Sequence, residues 1–251
     1  KGAPLAGGRK LKTPFGDFYT PNITPHAETG IGNWTDDNFI AALGQGIAPG
    51  GSHYFPAFPY PSYAAMTKRD MRDLRAYLFS LPSVARANTP HDLNPPFGWR
   101  FLVMFWKIMF FDSGPFEFDQ DKSDARNRGA YLATALGHCG ECHTPRNPLG
   151  AVKANMAFAG SREGPEGGSI PNITPDKETG IGEWSEDDLD TLFTMGMLPD
   201  GDFVGGEMAD VVFNGTSRLT PVDRKALIEF LRALPAINND VSTGAASKSV
   251  D

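Results

Sequence analysis

The chain repeats itself, and the repetition limits its architecture before any single residue is weighed. Pro21-Asn-Ile-Thr-Pro25 returns as Pro171-Asn-Ile-Thr-Pro175, and Glu28-Thr-Gly-Ile-Gly32 as Glu178-Thr-Gly-Ile-Gly182, both at an offset of 150 residues. The offset holds without a gap through Trp34/Trp184, Asp37/Asp187, Gly46/Gly196, Pro49/Pro199 and Gly51/Gly201. After a three-residue shift the match resumes at 153, with Thr67/Thr220, Asp70/Asp223, Leu74/Leu227, Tyr77/Phe230 and Leu81-Pro82/Leu234-Pro235. Self-similarity of this extent marks a tandem duplication, so the 251 residues are expected to build two small cores rather than one large one.

Each copy closes on a predicted helix. Thr67 or Thr220 is placed as N-cap, an acid follows three residues later, apolar positions recur at helical spacing, and Leu-Pro ends the run. A shorter helix is signalled by Thr35-Asp36-Asp37 and by Ser185-Glu186-Asp187, each a cap followed by first-turn acids. Ser123 to Gly137 predicts a further helix, whose Gly129 and Tyr131 suit a close crossing with the closing helix. The expected fold class is therefore all-α, with short helices joined by long ordered loops, which 21 Pro and 28 Gly allow.

Expected boundaries are 1–84 for the first unit, 85–121 for a linker, 122–238 for the second unit and 239–251 for a disordered tail with nothing to bury. The linker is polar and Pro-rich from Asn88 to Pro96, then aromatic from Trp99 to Phe111. The preferred expectation for the aromatic part is a buried strap filling the seam between the units. Docking to a partner subunit is the alternative, since such a stretch left exposed would be a large apolar patch.

Chemistry concentrates in Gly137-His-Cys-Gly-Glu-Cys-His-Thr-Pro-Arg-Asn147. Two cysteines three apart with a histidine directly after the second is the spacing that attaches a c-type haem. Cys139 and Cys142 would each add to a vinyl group, and His143 would be placed under the iron. They are the only cysteines in the chain, so a structural zinc site lacks its second pair. A thioredoxin-like redox pair lacks its βαβ setting. A simple disulfide remains open but leaves His143 unexplained.

A six-coordinate iron needs a ligand opposite His143, and a methionine thioether ahead of the last helix is the usual choice. Met208, flanked by Gly205 and Gly206 and twelve residues before Thr220, is placed there; Met195 and Met197 are expected to line the pocket, and Met156 lies in the loop after the motif. In the first copy Phe58 stands where the offset puts Met208, so Met66, directly before Thr67, or His53 must substitute. That copy also has no cysteine. The expected source of its haem is a motif upstream of Lys1, in a chain that looks processed or incomplete.

The formal charge is −7, and haem propionates add to it, which sets nucleic acid aside as a partner. The apolar run from Phe101 to Phe111 is too short, and interrupted by Lys107, to span a bilayer. Covalent haem attachment places the protein in the periplasm or on the periplasmic face of a bacterial membrane.

Taken together, the Arg128-Gly-Ala-Tyr-Leu helix, the haem motif, the paired Asn-Ile-Thr-Pro and Gly-Ile-Gly-x-Trp segments and Phe55-Pro-Ala-Phe-Pro-Tyr60 resemble a known family. It is that of the multihaem cytochrome c subunits of bacterial periplasmic dehydrogenases oxidising alcohols, gluconate or aldehydes. The resemblance covers nearly the whole chain. It implies tandem all-α cytochrome c domains carrying two haem c groups, which take electrons from a dehydrogenase catalytic subunit and pass them to quinone or another cytochrome. Membrane association would come through that complex. It also implies a haem motif shortly before Ala6-Gly7-Gly8 and a methionine where this chain has Phe58. A dihaem enzyme of peroxidase or thiosulfate-oxidising type, with one open iron, is the competing expectation. Only Phe58 lends it support, because no acid, base and nucleophile converge near either loop in sequence.

Overall fold

The computed structural model describes residues 3–164 and 167–242. The expected disorder of the tail falls mostly outside these residues. Within them, Asn239 donates its backbone N–H to Thr179 and its side-chain amide to the carbonyl of Ala159. The chain divides into two compact units, Lys1–Phe116 and Glu117–Asp251.

The first unit contains helices α1 (Asp36–Gln45), α2 (Tyr60–Tyr63), α3 (Lys68–Phe79) and α4 (Phe101–Phe110). Thr35 and Thr67 cap α1 and α3, each accepting the N–H three residues on. The unit also has strands, against the expectation of an all-α chain. β1 (Lys10–Thr13), β2 (Gly16–Tyr19) and β3 (Asp92–Leu93) form a small antiparallel sheet in that order, with Leu11 opposite Phe18 and Asp17 opposite Asp92. Side chains alternate across a strand, so Leu11, Phe18 and Leu93 can share one face. They pack with Phe55 and Val103 as a separate small core.

α4 departs further from expectation. Its inward side carries Val103 and Lys107, one turn apart, whereas Phe101, Met104, Phe105, Ile108 and Met109 are exposed, Ile108 by 76%. Lys107 is only 9% exposed because carbonyls at the C-terminus of α1 need donors: its Nζ lies 2.6 Å from Gln45 O and 2.9 Å from Gly46 O. Burial still lowers its pKa to about 8.

The second unit contains α5 (Asp124–Tyr131), α6 (Gly140–His143), α7 (Glu186–Met195), α8 (Gly206–Asn214) and α9 (Pro221–Arg232). Ser123, Ser185 and Thr220 cap α5, α7 and α9. The core joins Ala133 to Ile181, Leu189, Leu192, Phe193, Leu227, Ile228 and Leu231. α5 crosses α9 at Gly129, where an added Cβ would sit 1.9 Å from the carbonyl oxygen of Ala226. Beside the crossing, Arg128 grips Asp223 through bonds of 2.8 and 3.0 Å. Gly129→Ala is therefore expected to force the helices apart and to cost about 3 kcal/mol, the upper part of the overpacking range. Denaturant unfolding would register the loss as a lowered midpoint with an unchanged slope.

The repeated segments carry the same bonds. Buried Asn22 donates 2.8 Å to Val84 O and accepts from the N–H and hydroxyl of Thr24 at 3.0 and 2.7 Å. Buried Asn172 donates 2.7 Å to Ile237 O and accepts from the N–H and hydroxyl of Thr174 at 2.9 and 2.8 Å. Leu5 and Phe158 share a positive φ of 61° and 62°, and their carbonyls accept from Ile23 and Ile173, both at 2.9 Å. A third correspondence is shifted. Arg75 of α3 and Arg232 of α9 each donate 2.6 Å to the carbonyl of Trp34 or Trp184, although at offset 153 Arg75 aligns with Ile228 and Arg232 with Phe79. The Arg75 guanidinium lies 4.0 Å over the Phe79 ring.

Candidate haem-binding site

The motif is delivered by a change of helical pitch. After α5 the chain winds through a π-turn, Leu132–Leu136, closed by the 2.7 Å bond from Gly137 N–H to Leu132 O. His138 then takes a positive φ of 39°, and the Cys139 N–H returns 2.9 Å to Ala133 O. Cys139 consequently packs on the edge of the second unit's core. α6 follows at once, with the N–H of His143 bonded 3.0 Å to Cys139 O, so both thiols and the imidazole share one helical turn.

The flanks of α6 are tied down. Arg146 donates 2.9 Å to the main-chain carbonyl of Glu141 and 2.7 Å to that of Gly150. The buried hydroxyl of Thr144 accepts the Phe158 N–H at 3.1 Å.

His143 Nδ1 lies 2.8 Å from the carbonyl oxygen of Pro171, the first residue of the repeated Pro-Asn-Ile-Thr-Pro segment. A carbonyl can only accept, so the proton is on Nδ1 and Nε2 keeps its lone pair. Burial lowers the pKa of the ring, with the Pro171 bond acting the other way, which favours the neutral, ligating form. Orientation of a ligand imidazole by a carbonyl on its other nitrogen is what iron coordination requires.

The thiols are not arranged for thiolate chemistry. Burial pushes Cys139 up to about 11, and burial followed by the Glu207 carboxylate raises Cys142. A redox pair needs the opposite shift. Among the described residues no three His, Cys, Asp or Glu side chains gather to hold a metal.

Met208 lies in the first turn of α8, half-buried, directly after Glu207, whose charge reaches Cys142. α8 begins at Gly206, so the expected glycine-flanked loop is in fact the start of a helix. Met195 ends α7 exposed, while Met156 and Met197 are half-buried.

In the first unit Phe58 sits among aromatic rings, 5.5 Å from Tyr54 and 5.8 Å from Tyr63. Met66 is 5% exposed, its N–H bonded to Tyr63 O, and its counterpart Leu219 packs against the core of the second unit. His53 is half-buried, with Nδ1 lying 3.0 Å from Lys107 Nζ. Two partners were invisible to motif reading, the Pro171 carbonyl and Lys107. Only the first left a signal, through the repeated Pro-Asn-Ile-Thr-Pro.

No family model matches the chain. Among curated proteins it is 46% identical to a diheme cytochrome c-type protein of Cereibacter sphaeroides over 235 residues, 93% of this chain and 77% of that protein. It is 37% identical over 250 residues to the cytochrome c subunit of a quinone-dependent alcohol dehydrogenase of Gluconobacter oxydans, covering 97% of this chain and 52% of that subunit. With the fructose dehydrogenase cytochrome subunit of Gluconobacter japonicus it shares 38% identity over 234 residues, 92% of this chain and 48% of that subunit. The chain thus spans about half the length of these two dehydrogenase subunits.

Proposed function

Because the chain belongs to the diheme cytochrome c family, we propose that it carries two covalent haem c groups and relays electrons from a dehydrogenase catalytic subunit to quinone or another cytochrome. The observation that carries this proposal is the His143 imidazole, held by Pro171 O with Nε2 unprotonated, one residue after the second of two cysteines. A bound c-type haem supplies a one-electron iron couple.

The chain's own residues do the rest. Cys139 and Cys142 fix the group to α6, and Pro171 orients His143 through Nδ1–H. Met208 would hold the iron together with His143, and the apolar core around Ala133 and Leu227 would keep water from it. In the first unit the duplicated Asn22 and Thr24 network supports a second haem, whose iron Met66 would hold in place of Phe58. Counterparts of Cys139 and Cys142 are not found within residues 1–251.

Tandem cytochrome c domains over 1–84 and 122–238 follow from the same proposal, with β3 and α4 of the intervening 85–121 packed on the first unit. The protein is assigned to the periplasm or the periplasmic face of the membrane. Among the described residues no helix is long and apolar enough to cross a bilayer.

Intact mass of the native protein should show two haem additions; a single addition would remove the dihaem assignment. Met208→Ala should abolish the near-infrared methionine-to-iron band of one haem and lower its potential. An unchanged band would move the ligand to Met195 or Met197.

A further inference from the structure

His53 and His143, both half-buried, face partners of opposite chemistry. His143 meets a carbonyl, which cannot donate. His53 meets the Lys107 ammonium, which cannot accept. All three N–H groups of Lys107 have an acceptor: Gln45 O at 2.6 Å, Gly46 O at 2.9 Å and His53 Nδ1 at 3.0 Å. The main chain of His53 is fixed as well. It bridges to Ile47, and its carbonyl accepts from Arg100 at 2.8 Å. Arg100 and Lys107 lie two turns apart on one side of α4 and its N-terminal flank, so this one helix grips His53 at backbone and ring.

The second unit repeats the surrounding loop without the grip. Met197 bridges to Phe203 as Ile47 does to His53, and Gly196 caps α7 as Gly46 caps α1. Phe203, which has no ring nitrogen for a lysine to grip, stands at the position of His53. The haem framework common to both units therefore does not account for the pair.

We infer that Lys107 is a positioning residue that locks His53 in the tautomer protonated on Nε2, which makes His53 a hydrogen-bond donor and bars it from the iron of the first unit. An imidazole ligates through an unprotonated nitrogen, and the only such nitrogen, Nδ1, is occupied by Lys107. To coordinate, His53 would have to break that bond or lose a further proton. Burial, with the Lys107 charge next, lowers the His53 pKa and keeps the ring neutral. The tautomer stands on the contacts alone; the statement about iron rests on the haem proposed for the first unit.

Nitrogen-15 NMR of the reduced native protein tests both. The expected His53 pattern is a protonated Nε2 and an accepting Nδ1. A proton on Nδ1, or a nitrogen shifted by metal coordination, would overturn the inference. Lys107→Met should convert the ring to a mixture of tautomers, and an unchanged pattern would remove Lys107 as the cause. His53→Ala should leave the low-spin absorption and magnetic circular dichroism of both haems unchanged, whereas a high-spin signal would make His53 a ligand. An intact mass showing one haem would overturn the dihaem proposal and leave the tautomer result standing.

Discussion

Serine at both Cys139 and Cys142 is expected to remove one covalent haem from the protein entirely. Each thiol supplies one thioether, and no other cysteine exists in residues 1–251 to replace them. Without attachment, the one-turn helix α6 loses the covalent link that would hold haem against His143. Pro171 could then orient the imidazole but not retain a cofactor that dissociates. The expected measurement is a mass lower by one haem and, after denaturing electrophoresis, a loss of haem-linked peroxidase staining from the second unit's proteolytic fragment. Haem that survived denaturation in that fragment would disprove attachment through these thiols.

The second large effect is expected at Asn172, which touches no iron. Its amide donates to Thr179 Oγ1 and Ile237 O and accepts from the N–H and hydroxyl of Thr174, four bonds on a side chain 2% exposed. Asn172→Ala leaves the buried Thr174 N–H without that partner, at about 1–3 kcal/mol, and the part-buried Ile237 carbonyl with only the 3.3 Å bond from the Thr174 hydroxyl, so a loss of about 2 kcal/mol is expected. Asn172→Asp should be nearly as harmful, because a carboxylate cannot donate to Ile237 O. As Asn172 directly follows Pro171, its loss should also loosen the hold on His143 and broaden the haem spectrum. Calorimetry and absorption on the same variant measure both effects. A melting temperature within experimental error of the parent would show that the network contributes nothing net.

Local chemistry was the legible part of this chain. The caps Thr35, Thr67, Ser123, Ser185 and Thr220 could be placed because a hydroxyl and the N–H it accepts lie three residues apart. The haem motif was legible because covalent attachment fixes its spacing. The sheet was not: its strands are two to four residues long, and β3 comes more than seventy residues after β2. Lys107 was opaque for a similar reason. In the sequence it only interrupts an aromatic run, and the folded unit alone gathers Gln45 O, Gly46 O and His53 Nδ1 around its ammonium. The Pro171 carbonyl carried no side-chain signal, although the repeat marked its segment.

The exchanged arginines bear on how the two copies diverged. Arg75 with Phe79, against Ile228 with Arg232, scores as two mismatches when the copies are compared position by position. Yet both copies keep the bond to a tryptophan carbonyl. The contact is thus kept while the position that makes it moves by one helical turn. An ancestor carrying arginine at both places could lose either one without a bondless intermediate, so each lineage could reach its present state by steps that all retained the link. Ancestry in such a duplicated protein is better traced through shared bonds than through shared letters.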